Sequence, residues 1–397
     1  MRKHQIVIIG GGNAGISVAA KLLHARKSLD VAIIEPSSKH YYQPAWTLVG
    51  SGIFDVRKTE HDEQSVIPKN AKWIKNRVVS FYPETNSVQI DNGERIYYDY
   101  LVVAPGIQLN WNAIKGLEET LGKNNVCSNY RFDIAPYTFE CIKQFKGGRA
   151  IFHNPDTPVK CGGAPQKIMY MAADYFRRKG ILNVADIQYW SGGSRLFGVP
   201  DYEKTLLKVC HNGNIKLQFL VKLVEIDGAH KKAKFVGIGE NNKDHEYVEN
   251  FDMIHVTPPQ SAPDFIRSSA LANAAGWVDV DKNTLQHTRY SNIFSLGDCA
   301  ALPTSKTGAA IRKQAPVVAA NVIRAIDNLQ LTAKYDGYTS CPIVTGYGKM
   351  VLAEFDYENK RRESFPFDQS KERWSMFQLK RYLLPWLYWH KILPGKM

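Results

Sequence analysis

The stretch that most constrains this chain is its first: "HQIVIIGGGNAGISVAAKLL" joins a continuous apolar run, a glycine turn and a helical pattern. Gly10, Gly12 and Gly15 stand as G-x-G-x-x-G between strand and helix. Turns without side chains let the backbone approach a pyrophosphate at the positive end of the helix. "DVAIIE" follows as the next strand and closes a βαβ unit. Glu35 lies twenty residues after Gly15 at the end of that strand, where a carboxylate accepts hydrogen bonds from a ribose. The chain must therefore open on a parallel sheet that holds a dinucleotide.

A length of 397 residues calls for more than one core. The formal charge of +13 favours anionic partners, but the basic residues are scattered, and nucleic acid is not an expected partner. The densest basic run, "NKRRES" at 359–364, reads as a solvated loop. Six irregularly spaced cysteines with no CxxC pair exclude a disulfide scaffold and a zinc site, so no metal is expected and any disulfide is chemical. A strand begins within five residues of Met1, which leaves no room for a targeting peptide in the chain as it stands.

Residues 95–106 read as a strand ending in a turn, and strands at 149–154 and 184–190 flank a helix over about 165–179, a second βαβ unit. Strand-like runs at 215–226 and 231–238 follow, then a helix from Thr307 to Leu329 and hairpin-like strands in "YTSCPIVTG" and "KMVLAEFDY". The expected fold class is α/β: two Rossmann-like dinucleotide-binding-type domains plus a C-terminal β-hairpin and amphipathic-helix region. The first domain is expected to span 1–117 and 288–332, the second 118–287, and the C-terminal region 333–397. In "YSNIFSLGDCA", Asp298 ends a strand before a helix. This resembles the second FAD motif of flavoproteins with two dinucleotide domains, and "YLVVAPG" resembles their short strand-turn element, with Pro105 where Thr is often seen.

The second βαβ unit lacks what a nicotinamide cofactor needs. Its turn reads "HNPDTPVKCGGAP" in place of three spaced glycines, and Ser191 stands where a ribose reader is required. Cys161 precedes Gly162, Gly163 and Pro165, at a helix N-terminus. That helix end and the adjacent Lys160 are expected to favour its thiolate. Cys341, between a turn and a proline-marked strand, is the best candidate partner and is expected to be accessible; Cys299 reads as packing and Cys127 as a redox accessory candidate, in less distinctive surroundings.

"HYYQPAWTLVGSG", "TPVKCGGAPQKIMY", "AAGWVDVDKNTLQH", "LPTSKTGAA", residues 335–347 and "EFDYENKRRESFPFDQSKER" resemble the sulfide:quinone oxidoreductases, in particular the branch with the mitochondrial enzymes, through nearly the whole chain. The resemblance implies a flavin-dependent enzyme in which Cys161 and Cys341 are joined by a disulfide, with or without an extra sulfur, on one face of FAD. Hydrogen sulfide splits it, leaving a persulfide on Cys341 and a thiolate on Cys161, and the electrons pass through FAD to a quinone. The sulfane sulfur then goes to a small acceptor: sulfite, glutathione or sulfide. The implied FAD contacts are Gly10, Gly12, Gly15, Glu35, Gln43, Val78 through its backbone, Asp298, Lys306 and Thr307, with Lys306 suited to the anionic reduced flavin.

In the tail, Met376, Leu379, Leu383 and Leu387 recur at helical spacing beside Phe377, Trp386 and Trp389, with Lys380 and Arg381 between. No run reaches the length of a spanning helix, and Pro385 interrupts the segment, so a peripheral position on a membrane surface is expected, against the alternative of a terminal helix packed on its own core. Phe355, Phe367 and Tyr382 are the candidate quinone contacts. The membrane is the cytoplasmic side of a bacterial inner membrane or, with a presequence, the mitochondrial inner membrane; a homodimer is left open. The competing readings are an NADH:quinone dehydrogenase of the same fold, a flavocytochrome-linked sulfide dehydrogenase and a non-enzymatic redox-sensing flavoprotein.

Overall fold

A computed structural model describes residues 2–240 and 242–397. The opening strand, Arg2–Ile9, is buried from Ile6 onward, as its continuous apolar run requires of a strand covered on both faces. It pairs in parallel with Val31–Ile34 on one side and Arg95–Val103 on the other. Ile293–Ser295 joins the far side of Arg95–Val103, also in parallel. The register sets Ile9, Val103 and Ser295 level, so Gly10, Ala104 and Leu296 leave the sheet at the same end. Two segments almost three hundred residues apart are thereby brought to one rim.

Within this sheet the path runs Ala71–Ile74, Val31–Ile34, Arg2–Ile9, Arg95–Val103, Ser87–Ile90, Val78–Tyr82. The two outer strands are connected by residues 75–77 alone. Four residue steps reach at most about 14 Å, so the sheet curls and brings Val78 back toward the strand end beside Glu35. Helices Asn13–Ala25 and Gly308–Ile326 pack together over its face.

A second parallel sheet has the order Val126–Cys127, Met253–His255, Gly148–Asn154, Ala185–Ser191, Ile215–Phe219. Helix Ala164–Arg178 connects the third and fourth of these strands, as its apolar spacing predicts. The run expected as one strand at 215–226 is two, Ile215–Phe219 and Val221–Asp227, broken at Leu220, whose φ of +57° turns the chain into a separate three-stranded antiparallel meander. The fold is thus α/β with two Rossmann-type parallel sheets.

The tail forms the hairpin Thr339–Gly346 and Lys349–Phe355, with Cys341 opposite Ala353. Its first strand lies against helix Ala164–Arg178, and Ile168, Met171, Ile343 and Met350 share one core. Beyond it, residues 374–392 run as a continuous helical segment of α turns and wider π turns, with Pro385 at the start of one α turn. Met376, Phe377, Lys380, Pro385 and Tyr388 are buried, while Tyr382, Leu383 and Trp386 are exposed. The expected apolar stripe is therefore split: Met376 faces the protein and Leu383 faces out. No helix among the described residues is long and apolar enough to cross a membrane.

Candidate active site

The three fingerprint glycines of the first turn are glycine for two different reasons. A Cβ on Gly10, where φ is +98°, would sit 2.5 Å from the Ala104 carbonyl oxygen, and one on Gly15 would sit 1.9 Å from the Gly10 carbonyl oxygen. Those two are fixed by backbone packing. A Cβ on Gly12 would meet nothing within 4 Å. No protein atom explains Gly12, whereas a pyrophosphate lying on the turn does. Glu35 accepts hydrogen bonds from the Gly11 and Ser37 N–H groups at 2.8 and 2.7 Å, which hold its carboxylate at the turn. At the facing rim, Gly297 takes φ +75° and half-buried Asp298 follows. Burial raises the Asp298 carboxyl above its usual range, against the pull of Lys306 and Lys160. These features fit an FAD.

The loop after Asp298 is tied to both cysteines. The Lys306 carbonyl accepts from the Cys161 N–H at 2.8 Å, and the Thr307 and Thr339 hydroxyls hydrogen-bond at 2.9 Å, two residues before Cys341. Thr307 also caps helix Gly308–Ile326 by accepting from the Ala310 N–H. Cys161 itself has φ +53°, a left-handed conformation that a residue other than glycine or asparagine adopts at a cost of about 1–2 kcal/mol. Its carbonyl accepts from the Ala164 N–H at 2.7 Å, turning the chain into the helix.

Cys161 and Cys341 meet. Both are free cysteines, and a Cβ on Gly163, two residues after Cys161, would lie 2.7 Å from Cys341 Sγ, so the glycine makes room for that sulfur. Cys341 is not accessible as expected: it is 3% exposed, because the strand that carries it is covered by helix Ala164–Arg178. Cys161 is the more open of the two.

The electrostatics separate the pair. The hydrogen bond from Cys341 and then the charge of Lys167 hold Cys161 well below the usual thiol range, against burial. Cys341 is pushed well above it, first by that same hydrogen bond to Cys161 and then by burial. The cation responsible is not Lys160, whose Nζ turns away to donate to Gln43 Oε1 at 2.6 Å. It is Lys167, buried in the helix, whose Nζ donates to Cys161 Sγ at 2.9 Å. A second buried lysine, Lys380 from the C-terminal helix, also acts on both sulfurs. The sequence reading missed both, although a lysine among the apolar residues of "APQKIMYMAADYF" was a readable signal.

Lys306 is fixed by donating to the Asp298 carbonyl at 2.6 Å and lying over the Trp277 ring at 3.8 Å. With Pro158, Gly162, Trp277 and Phe355 it lines an open cleft of about 600 Å³ beside the cysteine loop. Phe367 instead stacks on Phe365 under Arg373, packed against the core that includes Phe355, and Tyr382 is exposed on the C-terminal helix. Cys127 and Cys299 are fully buried with thiols pushed up by burial, Cys299 to about 11. In the second sheet, Ser191 Oγ accepts from Asn154 Nδ2 and the Gly193 N–H, at the position a ribose reader would take.

Residues 4–135 match the pyridine nucleotide-disulphide oxidoreductase family. The mitochondrial sulfide:quinone oxidoreductase of Dictyostelium discoideum is 50% identical over 395 residues, covering 99% of this chain and 86% of that protein. That of Mus musculus is 42% identical over 392 residues, covering 99% and 87%. Among solved structures, the sulfide:quinone oxidoreductase of Aquifex aeolicus superposes with a TM-score of 0.84 at 22% identity, covering 100% of this chain and 92% of that one, a likeness of fold.

Proposed function

This chain belongs to the sulfide:quinone oxidoreductase family, and from that premise we propose that it oxidises sulfide through a disulfide between Cys161 and Cys341 and passes the electron pair to a quinone by way of FAD. It is a flavin-dependent oxidoreductase. The single observation that carries the relay is the meeting of the two sulfurs beside the loop from Asp298 to Thr307.

The direction of attack follows from the two thiols. In thiol–disulfide exchange the thiol of lower pKa leaves faster. Cys161 is lowered and Cys341 raised, so sulfide attacks Cys341 Sγ, forms a persulfide there and releases Cys161 as a thiolate against Lys167. Bound FAD supplies a two-electron acceptor for that thiolate. Gly10, Gly12, Gly15, Glu35, Gln43, Val78, Asp298, Lys306 and Thr307 are the residues that would hold it. The outer persulfide sulfur leaves to a small nucleophile, for which the cleft lined by Gly162 and Phe355 is the approach, and the Cys341 thiolate it frees re-forms the bond to Cys161 as the electron pair passes to the flavin.

Quinone reduction takes place at a membrane surface, on which the exposed Trp374, Tyr382, Leu383 and Trp386 rest. The relatives from Dictyostelium discoideum and Mus musculus are mitochondrial proteins, which supports the mitochondrial inner membrane as that surface. The test is sulfide-dependent quinone reduction by the flavin-loaded protein. The account requires loss of turnover on Cys161→Ser and on Cys341→Ser with FAD retained; turnover surviving either change contradicts it.

A further inference from the structure

Lys380 has no place in the relay as written, yet it is 4% exposed, and no carboxylate pairs with it among the described residues. Its Nζ donates to the Pro44 carbonyl at 3.2 Å. The charged and titratable groups that act on it come from three elements: Lys167 from helix Ala164–Arg178, Cys161 from the loop before that helix, and Cys341 from the hairpin. The segment Gln43–Ala45 contributes only that neighbouring carbonyl. A buried lysine that feels another lysine and two sulfurs, with one backbone carbonyl as its acceptor, has no counter-charge to justify its burial.

We infer that Lys380 is the general base of this site: it takes the proton of hydrogen sulfide as the sulfide sulfur attacks Cys341. The bond between Cys341 Sγ and Cys161 Sγ breaks and a bond between the incoming sulfur and Cys341 Sγ forms. The sulfide sulfur is oxidised to the sulfane level and the electron pair of the broken bond goes to Cys161. One proton passes from hydrogen sulfide to the Lys380 amine. The products are a Cys341 persulfide, a Cys161 thiolate and a Lys380 ammonium, so two neutral reactants yield an ion pair of zero net charge.

The arrangement suits the task at each stage. Burial and then the neighbouring Lys167 lower Lys380 to about 7, while thiolate charge on Cys161 and Cys341 raises it. With the sulfurs joined, that raising contribution is absent and the amine is neutral, ready to accept a proton. Once Cys161 leaves as a thiolate, its charge holds the proton on Lys380. Neutral hydrogen sulfide also enters a buried pocket without carrying a charge through apolar surroundings. Because Lys380 belongs to the segment whose outer face carries Tyr382, Leu383 and Trp386, the base is in place only while that segment is seated.

The inference rests on the disulfide reading above, and its test separates the two. Flavin bleaching by sulfide is followed anaerobically by stopped flow from pH 6 to 9 in wild type, Lys380→Met and Lys380→Arg, with the Cys341 persulfide trapped by alkylation and read by mass spectrometry. Removal of a general base costs about 100-fold. We expect that loss in Lys380→Met near pH 6.5 for both bleaching and persulfide formation, shrinking as pH rises and hydrosulfide replaces hydrogen sulfide, with partial rescue by methylamine. Arginine keeps the charge but does not release its proton, so Lys380→Arg is expected to be equally slow. Full activity in Lys380→Arg, or an unchanged pH profile in Lys380→Met, overturns the assignment of Lys380 alone. Wild type that sulfide does not bleach overturns the disulfide reading itself.

Discussion

Lys167 Nζ lies 2.9 Å from Cys161 Sγ, and this contact, more than the helix end, sets the chemistry of the more exposed cysteine. An ammonium within hydrogen-bond reach favours the thiolate over the thiol. Lys167→Met is therefore expected to raise the Cys161 pKa and to slow its alkylation at pH 7. The check is the pH dependence of iodoacetamide labelling of the reduced protein at Cys161. The sign for stability follows: a lowered thiol pKa stabilises the fold above the unfolded value of about 8.5, and the gain is lost as pH falls through the lowered folded value.

Gly12 and Gly15 are expected to fail differently. Gly15→Ala drives a Cβ into the Gly10 carbonyl, and backbone cannot yield as a flexible side chain can; a loss of about 3 kcal/mol or poor folding should follow. Gly12→Ala meets no protein atom, so the apoprotein should keep its melting temperature while FAD affinity falls. Thermal melts with and without added FAD distinguish the two.

Cys127→Ala and Cys299→Ala should leave sulfide turnover within about twofold of wild type, since both thiols are sealed from solvent and pushed toward the neutral form. Loss of flavin bleaching in Cys127→Ala, with its FAD content unchanged, would give that cysteine a redox role.

Trp386→Ser combined with Leu383→Ser removes exposed apolar surface from the C-terminal helix and should shift stability by no more than about 0.5 kcal/mol. Vesicle co-sedimentation and reduction of a long-chain quinone should both weaken, while reduction of a short, water-soluble quinone persists. Unchanged vesicle binding would place the membrane contact elsewhere.

The sequence made the scaffold readable because its signals are local. G-x-G-x-x-G between strand and helix, Glu35 at the next strand end and Asp298 before a long helix each state their geometry within a few residues. Cys161 was legible for the same reason, at the start of its helix. Its electrostatic partner was not: Lys160 is adjacent in sequence but points to Gln43, whereas Lys167, one turn into the helix, comes round onto the cysteine. Lys380 lies more than two hundred residues away and arrives only through the packing of the tail. The burial of Cys341 was hidden likewise, since "TSCPIVTG" reads as a hairpin strand but does not say that a helix covers it. Tyr382 and Leu383 face outward because the wider turns of the last helix rotate its faces away from a simple 3.6-residue period.

The central claim is tested most directly by peptide mapping of the flavin-loaded protein under non-reducing conditions, before and after one equivalent of sulfide without oxygen. The account predicts a crosslink between the peptides carrying Cys161 and Cys341 beforehand and, in samples quenched before the flavin bleaches, its replacement by a Cys341 persulfide and a free Cys161. A flavin that bleaches without that crosslink ever opening, or sulfane sulfur on Cys161 in place of Cys341, would contradict it.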